Sequence, residues 1–300
     1  SEIKSIPKAV VTVGTFDGVH LGHQAIFNIM KQEAKGIDGE TVVITFYPHP
    51  RIVLGLDSEH LKFINTQEKK INRLEESGID HLIIVSFNKA FAGISSEEFI
   101  NDLVVEKIHP KIIVTGFDHH FGKDRGGSFD MLSKIGKEKG FKVIKVAAQY
   151  VNDVPVSSTK IRKLLNNGAV LAANNFLGYE YSITGKVVKG KSIGRDIGFP
   201  TANIEVADEY KLIAAVGVYA CRVTFMGKLY KGMCNIGYRP TVNHGNLTIE
   251  VHIFDFGQQI YGEEITIIFV DRMRDERKFD SLSELAQQLT RDKENTLKIL

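Results

Sequence analysis

The chain has 300 residues, 43% of them hydrophobic and 25% charged, with a formal net charge of +2. That is the make-up of a globular protein of one large or two medium domains, and so small a net charge argues against nucleic acid or an acidic membrane as the main partner. The apolar runs are no longer than strands, and SEIKSIPKAV at the start lacks the apolar core of a signal peptide, so a cytoplasmic location is expected.

Residues 10 to 23 read VVTVGTFDGVHLGH. Val10–Val13 predicts a strand, a glycine-punctuated turn follows, and Leu21, Ala25, Ile26, Ile29 and Met30 form an apolar stripe at helical spacing. A strand feeding a helix through such a turn gathers free backbone N–H groups and the positive helix end at one point, a natural seat for phosphate. Gly14, Gly18 and Gly22 are expected to let the backbone approach a ligand closely. His20 and His23 would share a face of the first helical turn, where two imidazoles suit a polyphosphate whose charge shifts during reaction. A lone histidine at a helix start is ordinarily a capping or surface residue. A pair can also bind metal, yet no third ligand lies nearby in sequence. The stretch matches neither a Walker A loop, since no GK[ST] follows, nor GxGxxG.

Up to about residue 150, strand and helix patterns alternate. Apolar runs at Val10–Val13, Thr41–Phe46, His81–Phe87, Lys111–Thr115 and Phe141–Val146 predict a parallel, doubly wound sheet. Gly78 and Gly140 fall where helices should stop, and Ser95 with Glu98 makes a capping box. Ligands in such sheets bind beyond the carboxyl ends of the strands, and the loops there carry the unusual residues. TFYPHP, Thr45 to Pro50, stiffens a turn around His49. GFDHHFGKDRGG, from Gly116, holds Asp118, Lys123 and Arg125 among glycines. In VPVSSTKIRKLL, Ser157, Ser158 and Thr159 can cap a helix with Arg162 on its first turn, a second anion cradle.

AVLAANNFLGY, residues 169 to 179, reads as a short helix ending at Gly178, after which the texture changes. Runs at Ser182–Val188, Val218–Phe225, Lys228–Met233, Leu247–Phe256 and Glu264–Val270 predict an antiparallel barrel, with Met226-Gly227 a hairpin tip. A helix capped by Ser281 and Glu284 closes the chain, and the domain boundary is expected near residue 180. Cys221 and Cys234 sit in strand-like stretches and predict buried free thiols, with no disulfide framework or zinc site. In VVKGKSIGRDIGFPTANI a flexible loop precedes a rigid Phe-Pro-Thr-Ala-Asn turn, where Thr201 and Asn203 offer oxygens that suit Mg²⁺. Downstream lie NIGYRPT and IEVHIFDF, in which Ile249, Val251 and Ile253 alternate with Glu250, His252 and Phe254.

Read as strings, GTFDGVHLGH, TFYPHP, GFDHHFG and SSTKIR resemble, in order, the adenylyltransferase module of the bacterial bifunctional riboflavin kinase/FAD synthetases, an HxGH nucleotidyltransferase. GFPTAN, NIGYRPT and EVHIFDF resemble that family's riboflavin kinase module, so the resemblance covers nearly the whole chain. It implies an FMN adenylyltransferase domain over residues 1–180 and a riboflavin kinase domain over 181–300. The first would transfer AMP from ATP to FMN and release pyrophosphate; the second would phosphorylate riboflavin with ATP and Mg²⁺. Carried across, His20 and His23 would stabilise charge at the reacting phosphorus. Gly14, Phe16, Asp17, Gly22, Asp118, Ser158, Thr159 and Arg162 would bind that ATP. His49, Phe87, Phe91 and Phe121 would hold the flavin, although His119 stands where family members often have Phe. In the kinase module Gly190, Lys191, Gly194, Arg195, Thr201 and Asn203 would bind ATP, with Thr201 and Asn203 on the metal. Arg277 and Phe279 would contact riboflavin, and Glu250 would be the catalytic base. The rival readings are a nucleotidyltransferase with another phosphorylated acceptor and a non-catalytic flavin- or nucleotide-binding regulator. Protein partners are not indicated.

Overall fold

Val10–Val13 (β1) is buried along its whole length, as an apolar run covered on both faces must be. The computed structural model describes residues 6–56, 61–117, 121–122, 126–190, 193–238 and 247–300. Asp118, His119, Lys123, Arg125, Lys191 and positions 239–241 of NIGYRPT therefore lie outside the described residues. Thr41–Tyr47 (β2), His81–Ser86 (β3), Ile112–Gly116 (β4) and Lys142–Val146 (β5) join β1 in a parallel sheet of order β3-β2-β1-β4-β5. Successive side chains serve opposite faces. Val10, Val43 and Val114 pack with Ile26, Phe27 and Met30 of the helix Leu21–Ile37. Val11, Val13, Val42 and Ile44 pack on the other side with Phe99, Val104, Leu132 and Ile135. The doubly wound expectation is met. Strand order reverses between β1 and β4, so the switch point lies at the carboxyl end of β1, where residues 14 to 20 leave the sheet.

A short hairpin, Tyr150–Val151 (β6) and Val154–Pro155 (β7), precedes the helix Ser158–Asn166. Then Ser182–Val188 (β8), Ala202–Glu205 (β9), Gly217–Phe225 (β10), Lys228–Tyr238 (β11), Leu247–Ile253 (β12) and Glu264–Arg274 (β13) form a closed barrel of order β10-β11-β12-β9-β8-β13. Every neighbouring pair is antiparallel, and β13 closes on β10. Tyr219, Val223, Ile236, Val251, Ile267 and Phe269 are fully buried in it. Cys221 and Cys234 are free and buried, and burial pushes both thiols up. Met226 and Gly227 take φ of 47° and 74° at the β10–β11 turn, the positive angles a two-residue hairpin requires. The helix Leu282–Ile299 closes the chain from its Ser281 cap.

Two elements correct the sequence reading. The Phe-Pro-Thr-Ala-Asn segment does not remain a turn: from Ala202 it becomes β9, where Asn203 pairs with Glu250. Strands β11 and β13 also run well past their apolar stretches, because barrel closure lets Asn235, Asp271 and Arg274 pair in the ladder. The chain separates into two compact units, Ser1–Ser158 and Thr159–Leu300. This division falls earlier than the change of texture near residue 180, since the intervening helices bond to the barrel. Ala215 N–H donates to the Leu165 carbonyl at 3.0 Å, and Asn174 Nδ2 donates to the Phe269 carbonyl at 2.9 Å.

Two candidate active sites

In the first unit the loop after β1 is held in an unusual backbone path. Phe16, Gly18 and Val19 take φ of 50°, 86° and 40°. Positive φ at a β-branched residue is an outlier, and each such residue costs on the order of 1–3 kcal/mol, so neighbouring contacts must impose it. Asp17 Oδ1 accepts from the backbone N–H of Ile64 and Asn65 at 2.9 and 3.3 Å. Its carbonyl accepts from Ser158 Oγ at 2.8 Å, which ties Ser158 to the loop. Gln24 Nε2 donates to the Val19 carbonyl at 3.0 Å. From the loop's other side, Lys70 Nζ donates to the Thr15 carbonyl and the Thr45 hydroxyl, both at 3.3 Å.

This loop delivers His20 to the N-cap of the first helix, with His23 one turn on. The two imidazoles stack at 3.7 Å between centroids and 16° between planes, and Phe16 meets His23 edge-on at 5.1 Å. The expected shared face is thus realised as a stack. The glycines also make space within the chain itself. A Cβ on Gly14 would stand 2.9 Å from the Phe16 ring, and one on Gly22 would stand 3.1 Å from the His20 ring. Both clear room for the chain's own rings, and of the three only Gly18 has positive φ. Thr159 and Arg162 lie on the helix that opens at Ser158 and fall in the second unit.

Phe87, Phe91 and Phe121 come together at the carboxyl side of β2 and β3, joined by two rings the sequence reading did not single out. Phe46 meets Phe87 and Phe91 at 5.8 and 6.0 Å, and Phe99 meets Phe91 and Phe121 at 5.9 Å each. Phe91 and Phe121 also pack on the core, so only part of each ring is available to a ligand. His49 caps the helix Pro50–Val53 with Nδ1 accepting from Arg51 N–H, and its ring lies 4.3 Å from that of Phe63.

In the second unit the register sets Asn203 of β9, Glu250 of β12 and Asn235 of β11 side by side across three strands. Residues facing each other in a ladder share a sheet face, so a carboxylate is flanked by two amides. Thr201 Oγ1 donates to Glu250 Oε2 at 3.5 Å. A Cβ on Gly190 would fall 2.1 Å from Asn203 Nδ2, so this glycine seats the amide. Gly194 serves the turn instead, its carbonyl accepting from Phe199 N–H at 2.7 Å. His252 donates Nδ1–H to the Pro200 carbonyl at 2.7 Å, and burial holds its pKa below the usual imidazole range. His252 and Phe254 are themselves buried, so the side of β12 that carries Glu250 is covered.

A cleft opens beside Thr201 and Arg195, with Val187, Val251, Gln259 and Tyr261 in its walls. Its residues after Phe256 carried no readable signal. Arg277 lies over the Phe279 ring at 4.5 Å, and the adjacent Glu276 reaches Asn235 Nδ2 at 3.4 Å. Asn235, Glu276 and Lys70 were missed by sequence reasoning. Lys70 had one signal, its place four residues before Leu74 on the buried side of the helix Gln67–Glu76.

Comparison with known proteins matches the two constellations separately. The family model for FAD synthetase covers residues 2–160, and that for riboflavin kinase covers 177–300. The chain belongs to the bifunctional riboflavin kinase/FMN adenylyltransferase family. It is 39% identical to the Bacillus subtilis protein of that description over 97% of this chain and 92% of the relative. It is 36% identical to the Escherichia coli one over 94% and 90%. A crystal structure from Streptococcus pneumoniae, described as a macrolide-efflux protein, is similar at 34% identity with a TM-score of 0.88, covering 99% of this chain and 98% of that one. Among the described residues no helix is long and apolar enough to cross a membrane.

Proposed function

We infer that the chain makes FAD from riboflavin in two steps, phosphorylation to FMN in the second unit and adenylylation of FMN in the first. The observation that carries this reading is the coincidence of each family model with its own constellation, the imidazole stack in one and the Asn203–Glu250–Asn235 row in the other.

In the first unit an FMN phosphate oxygen attacks the α-phosphorus of ATP and pyrophosphate leaves. No covalent enzyme intermediate is needed, so the work is positioning and charge stabilisation. His20 and His23 stand at a helix N-terminus and donate to the phosphate oxygens as charge develops. Ser158, bonded to the loop through the Asp17 carbonyl, is the first unit's hydroxyl for the terminal phosphates. Phe87, Phe91 and Phe121 offer ring edges to the isoalloxazine.

In the second unit Glu250 takes the proton of the ribityl 5′-hydroxyl as that oxygen attacks the γ-phosphorus and ADP leaves. Thr201 orients its carboxylate. The side-chain oxygens of Thr201 and Asn203 are hard donors, which fits a hard cation completed by phosphate and water. Mg²⁺ held there with ATP would neutralise phosphate charge. The cleft beside Thr201, where Arg195 and two glutamines stand among aliphatic and aromatic walls, takes the nucleotide base, and Arg277 with Phe279 takes the flavin. We assign the enzyme to the cytoplasm, with small molecules as its partners and neither nucleic acid nor membrane among them. The test is chromatography of the flavins formed from riboflavin, ATP and Mg²⁺: FMN and then FAD are expected, and recovery of riboflavin alone overturns the reading.

A further inference from the structure

Lys70 is a buried lysine, 6% exposed, on a helix whose exposed faces offer lysine many cheaper places. Burying an ammonium is costly unless its charge is used. Its Nζ donates to the Thr15 carbonyl, the last peptide oxygen before the positive-φ run begins at Phe16. Its second acceptor, the fully buried Thr45 hydroxyl, donates in turn to the same carbonyl at 3.4 Å. The Thr15–Phe16 peptide is therefore gripped from two sides at the point where the loop turns toward His20.

We propose that Lys70 is a positioning residue for adenylyl transfer, its ammonium fixing the Thr15 peptide so that the strained loop sets the His20–His23 stack. The ammonium acts through the loop rather than on substrate. A charge-assisted bond to a carbonyl is about twice as strong as a neutral one. Desolvation brings the Lys70 pKa down to about 8, the Asp17 carboxylate opposing it. Asp17 is the charged group facing the amine, Thr15 and Thr45 contribute neutral oxygens, and Lys69 and Arg73 neighbour it on its own helix. Loss of the proton above that pKa leaves a weaker N–H donor in place. The folded pKa lies below the ordinary 10.5, so the unfolded chain binds more protons between the two values. Stability then rises with pH across this window while adenylyl transfer falls. A merely structural lysine would move both in the same direction.

The inference rests on adenylyl transfer being the reaction of the first unit. The experiment compares the full-length parent with Lys70→Met, which keeps the apolar stem and leaves Thr45 bonded to the Thr15 carbonyl. Conversion of supplied FMN to FAD, riboflavin phosphorylation and melting are each followed from pH 6.5 to 10. The parent should lose roughly tenfold in kcat for FAD formation across about pH 8, with KM for FMN little changed. Lys70→Met should be lower by roughly 10–100-fold and flat through that range, as small misplacements of catalytic groups are. Its melting temperature should equal or exceed the parent's, and riboflavin phosphorylation should be unaffected. A parent profile flat across pH 8, a variant within twofold of the parent, or a loss that tracks a lower melting temperature overturns the proposal. A parent that forms no FAD at any pH instead overturns the underlying reading.

Discussion

The spacing between rings and amides in both sites is set by glycines with ordinary φ, and this makes them sensitive to a single methyl group. Gly190→Ala would place a Cβ 2.1 Å from Asn203 Nδ2 and force that side chain away from Glu250 and the metal position. The backbone tolerates alanine there, so folding should be nearly unchanged. Riboflavin phosphorylation should drop by about 10²-fold, the usual consequence of an ångström-scale displacement, while FMN adenylylation persists. Assaying the two steps separately checks this. The histidine pair, Asn203 within GFPTAN, Glu250 within EVHIFDF and the hydroxyls of SSTKIR were legible because each sits in a local string. Lys70 and Asn235 were not, since their significance comes from partners 55 and 15 residues away in sequence, Thr15 and Glu250. Likewise, spacing could not reveal that the Phe16 and His20 rings lie against Gly14 and Gly22.

At the scale of elements, β1 to β5 were readable because both faces are buried and apolar runs mark them directly. Strand β9 was hidden: it follows a proline, alternates polar with apolar residues, and gains its definition from pairing with Glu250 and Val251. The same logic governs the C-terminal helix, whose hold on the barrel is partly ionic. Asp292 is 2% exposed, and Arg274 of β13 meets it with Nη2 at 2.6 Å and Nε at 3.1 Å. Gln288 adds a bond to Asp292 at 2.8 Å. Arg274→Met would leave a buried carboxylate without its cation, a loss of about 3–5 kcal/mol. Denaturant unfolding should show that fall for the second unit, and Arg274→Met with Asp292→Leu should recover much of it. A single variant as stable as the parent would show that water or Gln288 compensates the charge.

For the whole molecule, the change in texture near residue 180 was the only boundary the sequence displayed. The helices Ser158–Asn166 and Val170–Leu177 carry no mark of which neighbour they serve, yet Leu165, Val170, Ala173 and Leu177 are fully buried and Asn174 bonds to β13 and to Tyr181. A fragment of residues 159–300 should therefore phosphorylate riboflavin and resist denaturant better than one of 181–300. The shorter one exposes apolar surface and strips buried polar groups of partners, each worth about 1–3 kcal/mol. Equal denaturant midpoints would mean that these helices belong with the sheet instead.

The most direct test of two sites acting in sequence on one chain is a crossed pair of full-length variants, His23→Ala and Glu250→Gln, each given riboflavin or FMN with ATP and Mg²⁺ and read by flavin chromatography. His23→Ala should convert riboflavin to FMN at the parent rate and accumulate it, with FAD formation down roughly 10²–10³-fold. Glu250→Gln should leave riboflavin largely unchanged, since a positioned base contributes about 10²–10⁴-fold, yet convert supplied FMN to FAD normally. Loss of both steps in either variant, or phosphorylation by Glu250→Gln within a few-fold of the parent, would contradict the account.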